Sequence, residues 1–261
     1  MSVRHRESLG RYLQLIFRRS MGEFKFDSTR MYLGTSWWII EPLLDLALYY
    51  AVFGLFFRRA GADYVPFLLI GLVPWRLFNQ LTMNSGGSIT NNIHLVRQFP
   101  LPKIIYPLII LVKNLYQFSF SLVVLFVMLL LLGIHPDVYW LLLPPVLLSF
   151  VLFAVGVSLP LAALVPFLPD IQKGLPHALR ILFFFSGVLY TIEELPARFQ
   201  RPMSFNPLIP LIASWRDVLM YHRQPDWVVL LQINVLSLVL ILCGVLLLRR
   251  LDGLYAKRVT Q

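Results

Sequence analysis

Six stretches long and apolar enough, or nearly so, to cross a bilayer dominate this chain of 261 residues: Thr35–Phe57, Tyr64–Met83, Tyr106–Leu132, Trp140–Pro166, His177–Thr191 and Trp227–Leu248. A hydrocarbon core about 30 Å thick takes roughly 20 apolar residues of helix, and backbone groups in lipid must be satisfied inside the segment that carries them. The chain is therefore expected to be an all-α integral membrane protein with six transmembrane helices. Its charge content agrees: 14% of residues are charged, against about 25% in soluble domains, and the mean hydropathy is +0.71. A disordered chain and a soluble enzyme are excluded. The single cysteine, Cys243, builds neither a disulfide framework nor a cysteine zinc site within one chain.

The net charge is +10, and its placement points to a membrane rather than to nucleic acid. Seven basic residues fall within the first 30 (Arg4, Arg6, Arg11, Arg18, Arg19, Lys25, Arg30), and Arg249, Arg250, Lys257 and Arg258 close the chain. Six crossings put both termini on one side. Loops and tails on that side carry 14 Lys and Arg and the opposite loops carry 6, so the positive-inside rule sets both termini in the cytoplasm. No cleavable signal peptide is expected, because the first apolar run starts late and is too long for an h-region.

Two segments depart from plain spanning. From Arg4 to Arg30, apolar Leu9, Tyr12, Leu13, Ile16, Phe17 and Phe24 recur at helical spacing among basic residues. That pattern predicts an amphipathic helix in the cytoplasmic interface, basic face toward anionic headgroups. From Glu194 to Tyr221 the chain is apolar but broken by Pro196, Pro202, Pro207 and Pro210. It predicts an external loop or two short re-entrant helices, which survive at membrane depth only where they are buried or line a wet cavity. In the fourth span, Pro144, Pro145, Gly156 and Pro160 predict kinks.

Catalytic signatures are missing. There is no GxxxxGK[ST], HExxH or GxSxG, and the histidines are scattered. No catalytic residue, metal site or cofactor site is assigned to this chain. Glu41 and Asp45, four residues apart, share one helix face inside the first span. They read either as a proton relay or, preferably, as a polar helix-packing contact or as Glu41 near the cytoplasmic boundary partnered by Arg30 or Lys113. Most of the tryptophans fall at span ends, as an interfacial belt does. Phe184 and Tyr190, with Phe199 and Phe205 in the broken segment, lie near the expected pathway, where aromatic faces suit the C–H surfaces of sugars. The stretch NNIHLVRQFPLPK, ending at Lys103, predicts a short helix from Ile93 to Phe99 that offers His94, Arg97, Gln98 and the apolar Phe99 to a cytoplasmic partner.

The order of these features resembles the ABC-2-type exporter permeases over nearly the whole chain. The stretch Phe17–Phe57 resembles their lead into the first span, with Leu33-Gly34-Thr35-Ser36-Trp37 followed by Glu41-Pro42. Phe67–Phe78 resembles the second span, Arg97-Gln98-Phe99-Pro100 with Pro102-Lys103 the coupling segment, and Asn206-Pro207-Leu208 through Arg216 the stretch before the last span. Within the family the chain is most similar to transmembrane subunits of polysaccharide exporters for O-antigen, capsule or teichoic acid.

The resemblance implies residues 1–33 as the interface helix and 34–261 as the six-helix domain. The coupling segment would lie near 91–103 and a periplasmic re-entrant hairpin near 192–221. It implies a homodimer in the bacterial inner membrane with two copies of a cytoplasmic ATPase that carries the ATP and Mg. The cargo would be a lipid-linked glycan; nucleic acid is not a partner. His94, Arg97, Gln98, Phe99 and Lys103 would couple to the ATPase. Trp37, Glu41, Phe184 and Tyr190 would meet the glycan. Phe199, Phe205, Asn206, Pro207 and Arg216 would form the periplasmic gate. Asp27 departs from the family's basic lead, standing where another cation is expected.

Overall fold

The computed structural model describes residues 2–30, 32–52, 63–92 and 101–258. Among them the structure is all-helical. Helix α1 spans Ser2–Arg30, α2 Trp37–Tyr49, α3 Tyr64–Gly86, α4 Ile105–Leu131, α5 Leu143–Leu164, α6 Pro169–Phe184, α7 Ala197–Ser204, α8 Leu208–Leu219, α9 Trp227–Arg250 and α10 Asp252–Arg258.

Three helices are long and apolar enough to cross a membrane: α4, α5 with the 3-10 turn that leads into it (Val138–Leu164 together), and α9. Helix α9 turns a large apolar surface outward, including Val228, Leu231, Val235, Leu238, Val239 and Leu242. In water such a patch would be an aggregation site; in lipid it is the ordinary outer face of a span. The last expected span matches α9, and the third matches α4.

The fourth matches α5 with its lead-in turn, the second falls on α3, and the first and fifth take other bounds. The stretch Thr35–Phe57 becomes α2 and a wider turn at 50–52, and its last residues lie outside the described ones. Helix α3 has the length of a span, but Arg76, Asn79 and Gln80 lower its hydropathy. The expected fourth span is straightened at its start: Pro144 and Pro145 fall in the first turn of α5, where a proline breaks no intrahelical bond, so of the expected kink sites there only Pro160 is an interior proline. The fifth shifts most. The helix runs Pro169–Phe184, not His177–Thr191. Pro169 with Asp170 in the first turn suits a helix start, and the helix stops where Ser186 Oγ donates to the Phe183 carbonyl at 2.7 Å and Gly187 turns left-handed at φ +74°.

The core lies between α3, α5 and α8. Leu68, Leu69 and Ile70 of α3, Val146 and Phe150 of α5, and Leu211, Ile212 and Trp215 of α8 are sealed from the surface. Trp215 meets Phe118 and Phe150 edge-on, each with ring centroids 6.3 Å apart. Helices α5 and α9 approach closely through small residues. A methyl group at Gly244 would sit 2.6 Å from the Leu159 Cβ and 2.9 Å from the Pro160 nitrogen. Small residues are what let helix backbones meet in lipid, where apolar contact alone gives no driving force.

The amphipathic α1 forms as expected. Its apolar face packs on α4: Ile16 against Ile105 and Ile109, and Phe17 against Tyr116 at 5.8 Å. Phe24 stacks on Trp38 at 4.4 Å. Asp27, the departure from the basic lead, has a structural reason: its carboxylate pairs with Lys113 of α4 at 2.5 Å.

Candidate functional site

Two features stand out: a polar, aromatic-walled groove between α2, α3 and α6, and a break in the helical path after α6.

The groove is organised by one arginine. Glu41 and Asp45 are one helical turn apart on α2, and both face Arg76 of α3. Arg76 Nη2 pairs with Glu41, and Nη1 with Asp45 at 3.1 Å. The packing-contact reading of these carboxylates agrees with this geometry, with Arg76 as their partner, while Lys113 pairs with Asp27. Around the triad, Tyr49, Trp75, Asn79, Gln80 and Phe183 close a cavity of about 340 Å³. A second cavity of about 420 Å³ shares Tyr49, Trp75, Asn79 and Phe183 and extends to Arg180 and Phe184. The aromatic wall is continuous: Tyr49–Phe183 centroids are 5.0 Å apart, Trp75–Phe183 5.3 Å and Phe183–Phe184 5.4 Å. Carboxylates, amides and a phenol supply hydrogen-bond partners beside apolar ring faces, which together suit a polyhydroxyl chain.

At the break, residues 185–191 leave the helical path, and Ser186 to Leu189 are buried, so the carbonyls freed there need donors. The donors are specific. Tyr190 Oη donates to the Phe184 carbonyl at 2.5 Å, and Asn206 Nδ2 to that of Phe185 at 2.7 Å. Arg216 Nη1 donates to Gly187 at 2.8 Å and Nη2 to Val188 at 2.6 Å. Its Nε reaches the Phe67 carbonyl of α3 at 3.3 Å, and its guanidinium lies 3.4 Å from the Phe67 ring centroid. Arg216 is only 3% exposed. One buried cation thus ties together α3, the break and α8. Glycine at 71 makes this fit: a methyl group there would sit 2.7 Å from Arg216 Nη2.

Asn206 has a second task. Its Oδ1 accepts from the Leu208 N–H at 3.1 Å, fixing the start of α8, while Pro207 immediately precedes that helix, where the missing N–H does no harm. The broken segment is indeed two short helices. Helix α8 is buried in the bundle, whereas α7 has no buried residue.

Of the residues singled out from sequence, Tyr190, Asn206, Pro207 and Arg216 converge on the break, and Glu41 and Phe184 line the groove. Trp37 opens α2 but does not line either cavity. Phe199 and Phe205 are exposed, Phe199 under the Arg198 guanidinium at 4.7 Å. Lys103 is buried; its Nζ donates to the Leu101 carbonyl at 3.0 Å and lies 3.9 Å from Asp252. Beside it the tail helix α10 is anchored by Tyr255 Oη on the Ala163 carbonyl at 3.0 Å. His94, Arg97, Gln98 and Phe99 lie outside the described residues. Sequence reasoning missed Arg76, Asn79 and Gln80. The signal was available: three polar side chains within one turn and a half of an otherwise apolar helix.

Comparison with known proteins agrees with this architecture. Residues 12–220 match the ABC-2 type transporter family. The chain is 28% identical over 221 residues to an O-antigen export system permease protein of Klebsiella pneumoniae, covering 84% of this chain and 85% of that one. It is 27% identical over 242 residues to a protein of the same name from Myxococcus xanthus, covering 92% and 93%. It is 25% identical over 224 residues to the polysialic acid transport protein KpsM of Escherichia coli, covering 83% and 85%. With four-fifths of its length matched to a single family model, the chain belongs to the ABC-2 type transporter membrane family.

Proposed function

We propose that this chain is the transmembrane permease subunit of an ATP-driven exporter that moves lipid-linked polysaccharide, of the O-antigen or capsule kind, across the bacterial inner membrane. It works as a homodimer with two copies of a separate cytoplasmic ATPase, which binds the ATP and Mg. Both termini are cytoplasmic and the chain crosses six times, α2, α3 and α6 completing the set begun by α4, α5 and α9. The observation that carries this reading is the polar, aromatic-walled groove, in a chain similar to polysaccharide export permeases over more than four-fifths of its length.

Sugar rings stack their C–H faces on Tyr49, Trp75, Phe183 and Phe184. Their hydroxyls exchange hydrogen bonds with Glu41, Asp45, Asn79 and Gln80. Two copies of the groove, facing each other, enclose a path that one copy leaves open. Helices α7 and α8 form the periplasmic gate, with Phe199 and Phe205 at its exposed rim and Asn206, Pro207 and Arg216 at its root. The segment near 91–103, with His94, Arg97, Gln98, Phe99 and Lys103, receives the ATPase stroke. Rigid-body movement of packed helices transmits that stroke to the path.

The test is a strain deleted for this gene, analysed for surface glycan and for lipid-linked polymer inside the cell. Loss of surface glycan with finished polymer accumulating inside is the expected result. Normal surface glycan, in a strain with no second copy, would overturn the polysaccharide assignment in favour of a small lipid or drug-like cargo.

A further inference from the structure

The expected coupling segment, near 91–103, lies between the end of α3 and the start of α4. A push on it reaches the bundle through its two roots. Ile89 stands at the first root, and Lys103 to Tyr106 stand at the second. Ile89 and Tyr106 are both buried, and they belong to one cluster at this end of the bundle. Leu159 and Ala163 of α5 and Leu248 of α9 form its walls, and its sixth buried member is Tyr255 of the tail helix α10.

Tyr255 is held on three sides. Its Oη donates to the Ala163 carbonyl at 3.0 Å, in the last turn of α5, where carbonyls lack a donor within the helix. Its ring centroid lies 5.0 Å from that of Phe167, in the turn between α5 and α6. Asp252, three residues earlier on α10, lies 3.9 Å from the Lys103 ammonium at the second root. Of residues 252–255, Tyr255 alone is buried; Asp252, Gly253 and Leu254 are exposed. These residues offer no broad packing face to the bundle. They deliver one aromatic side chain to the point where both roots, α5, α9 and the turn toward α6 meet. Helix α6 in turn lines the groove. Close-packed contacts transmit strain because they are hardly compressible, and small local shifts pass through such packing as rigid movements of helices. A void in place of the phenol would loosen this joint at its centre.

We propose that Tyr255 is a positioning residue for export. Helix α10 carries its phenol into the joint between the two roots of the coupling segment and the ends of α5 and α9, and this joint passes the ATPase stroke to the turn before α6. This rests on the reading of 91–103 as the coupling segment. Tyr255 touches neither cargo nor nucleotide in this role; it acts through Ile89, Tyr106 and Phe167.

The test compares Tyr255→Ala with Tyr255→Phe in the full chain, expressed with its ATPase in a strain deleted for this gene. Three quantities are read: the chain inserted in the membrane, surface glycan per inserted chain, and ATP turnover of the purified complex in nanodiscs. Tyr255→Ala is expected to lower surface glycan per inserted chain about tenfold, with ATP turnover per complex within about twofold of the parent, as for loss of coupling between sites. Tyr255→Phe keeps the ring against Phe167 and loses only the bond to Ala163, so it should retain about a third or more of export. A tyrosine that serves folding alone would lower the inserted chain and leave export per inserted chain unchanged; that result would overturn the proposal, as would equal loss of export in both variants. If Tyr255→Ala does not insert, Tyr255→Leu, which keeps an apolar plug in the joint, is scored in the same way. Replacing Arg97 and Phe99 together is the control. Normal export from that variant would overturn the coupling reading itself, whereas a dead control beside a normally exporting Tyr255→Ala would overturn only the role of the tail.

Discussion

Arg216 and Gly71 are coupled through a contact that can be measured. Replacing Arg216 by Met keeps much of the side-chain volume but removes the donors on which the Phe67, Gly187 and Val188 carbonyls depend. At about 1–3 kcal/mol for each buried polar group left without a partner, the gross loss is about 3–9 kcal/mol. Removing a buried charge relieves a desolvation cost of several kcal/mol, so the net loss is about 2–4 kcal/mol. With about 2–4 °C per kcal/mol for a chain of this size, the melting temperature should fall by roughly 4–16 °C. Gly71→Ala attacks the same contact from α3. Its methyl would lie 2.7 Å from Arg216 Nη2 and 3.1 Å from the Val188 oxygen, and such overpacking costs about 1–3 kcal/mol. In the Arg216→Met background the nearer clash is gone, so the cost of Gly71→Ala should shrink by about 1 kcal/mol or more, the Val188 contact retaining the rest. Tryptophan fluorescence of the chain in nanodiscs, melted at one fixed scan rate because membrane proteins unfold irreversibly, reads all four members of the cycle. Additivity within about 0.5 kcal/mol would refute the coupling, and an unshifted Arg216→Met would refute the role of the guanidinium itself.

Arg76→Met leaves Glu41 and Asp45 facing one another and should lower the melting temperature by roughly 3–10 °C, as expected for a half-buried ion-pair network; adding Glu41→Gln and Asp45→Asn should restore part of that loss without restoring export, and full recovery of export would show that the triad serves packing only. Gly244→Ala forces α9 away from Leu159 and Pro160 and should cost about 1–3 kcal/mol, whereas Gly10→Ala, with nothing within 4 Å of the new methyl, should leave stability unchanged or slightly raised; equal effects in thermal melts would contradict the close α5–α9 contact. Replacing Arg97 and Phe99 together should abolish export while the chain still inserts, as checked by membrane fractionation and surface-glycan staining; unchanged export would remove the coupling role.

Much of the architecture was legible because lipid makes hydropathy informative. The runs that became α4 and α9 stay apolar despite Lys113, Asn114 and Gln117 in α4 and Gln232 and Asn234 in α9, and the alternation of basic and apolar residues in 4–30 defines α1 directly. The groove was only half legible. Glu41 and Asp45 were visible as costly charges, but their partner was not, since α2 and α3 meet through tertiary packing that no local pattern encodes. The bounds of the fifth span were misplaced for a related reason. Hydropathy extends a span through Phe183, Phe184, Phe185, Val188 and Leu189, all apolar, yet the helix stops among them. What stops it is a local competition, the Ser186 hydroxyl for a helix carbonyl and Gly187 for a left-handed turn, made tolerable by donors from residues 20 to 30 positions away. Asn206 and Arg216 were singled out by resemblance, and their common task emerges only when both are seen feeding the same broken backbone.

The helices that are long and apolar enough to cross a membrane and the helices that line the groove are different ones. Helices α4, α5 and α9 pass every test of length and apolarity, and they supply packing surface and lipid-facing side chains. Helix α3 does not, because Arg76, Asn79 and Gln80 interrupt it, while α2 and α6 are shorter, 13 and 16 residues, and carry Glu41, Asp45, Lys173, His177 and Arg180. Those are also the helices that line the two cavities. In a bilayer a polar side chain has to be neutralised, hydrated or engaged by a ligand, so a path for a hydrophilic polymer can only be built from helices that score poorly as membrane spans. In the proposed function, the polar residues that interrupt α3 and line α6 are the mark of the path in the sequence. In that reading the apolar helices α4, α5 and α9 hold the path in place.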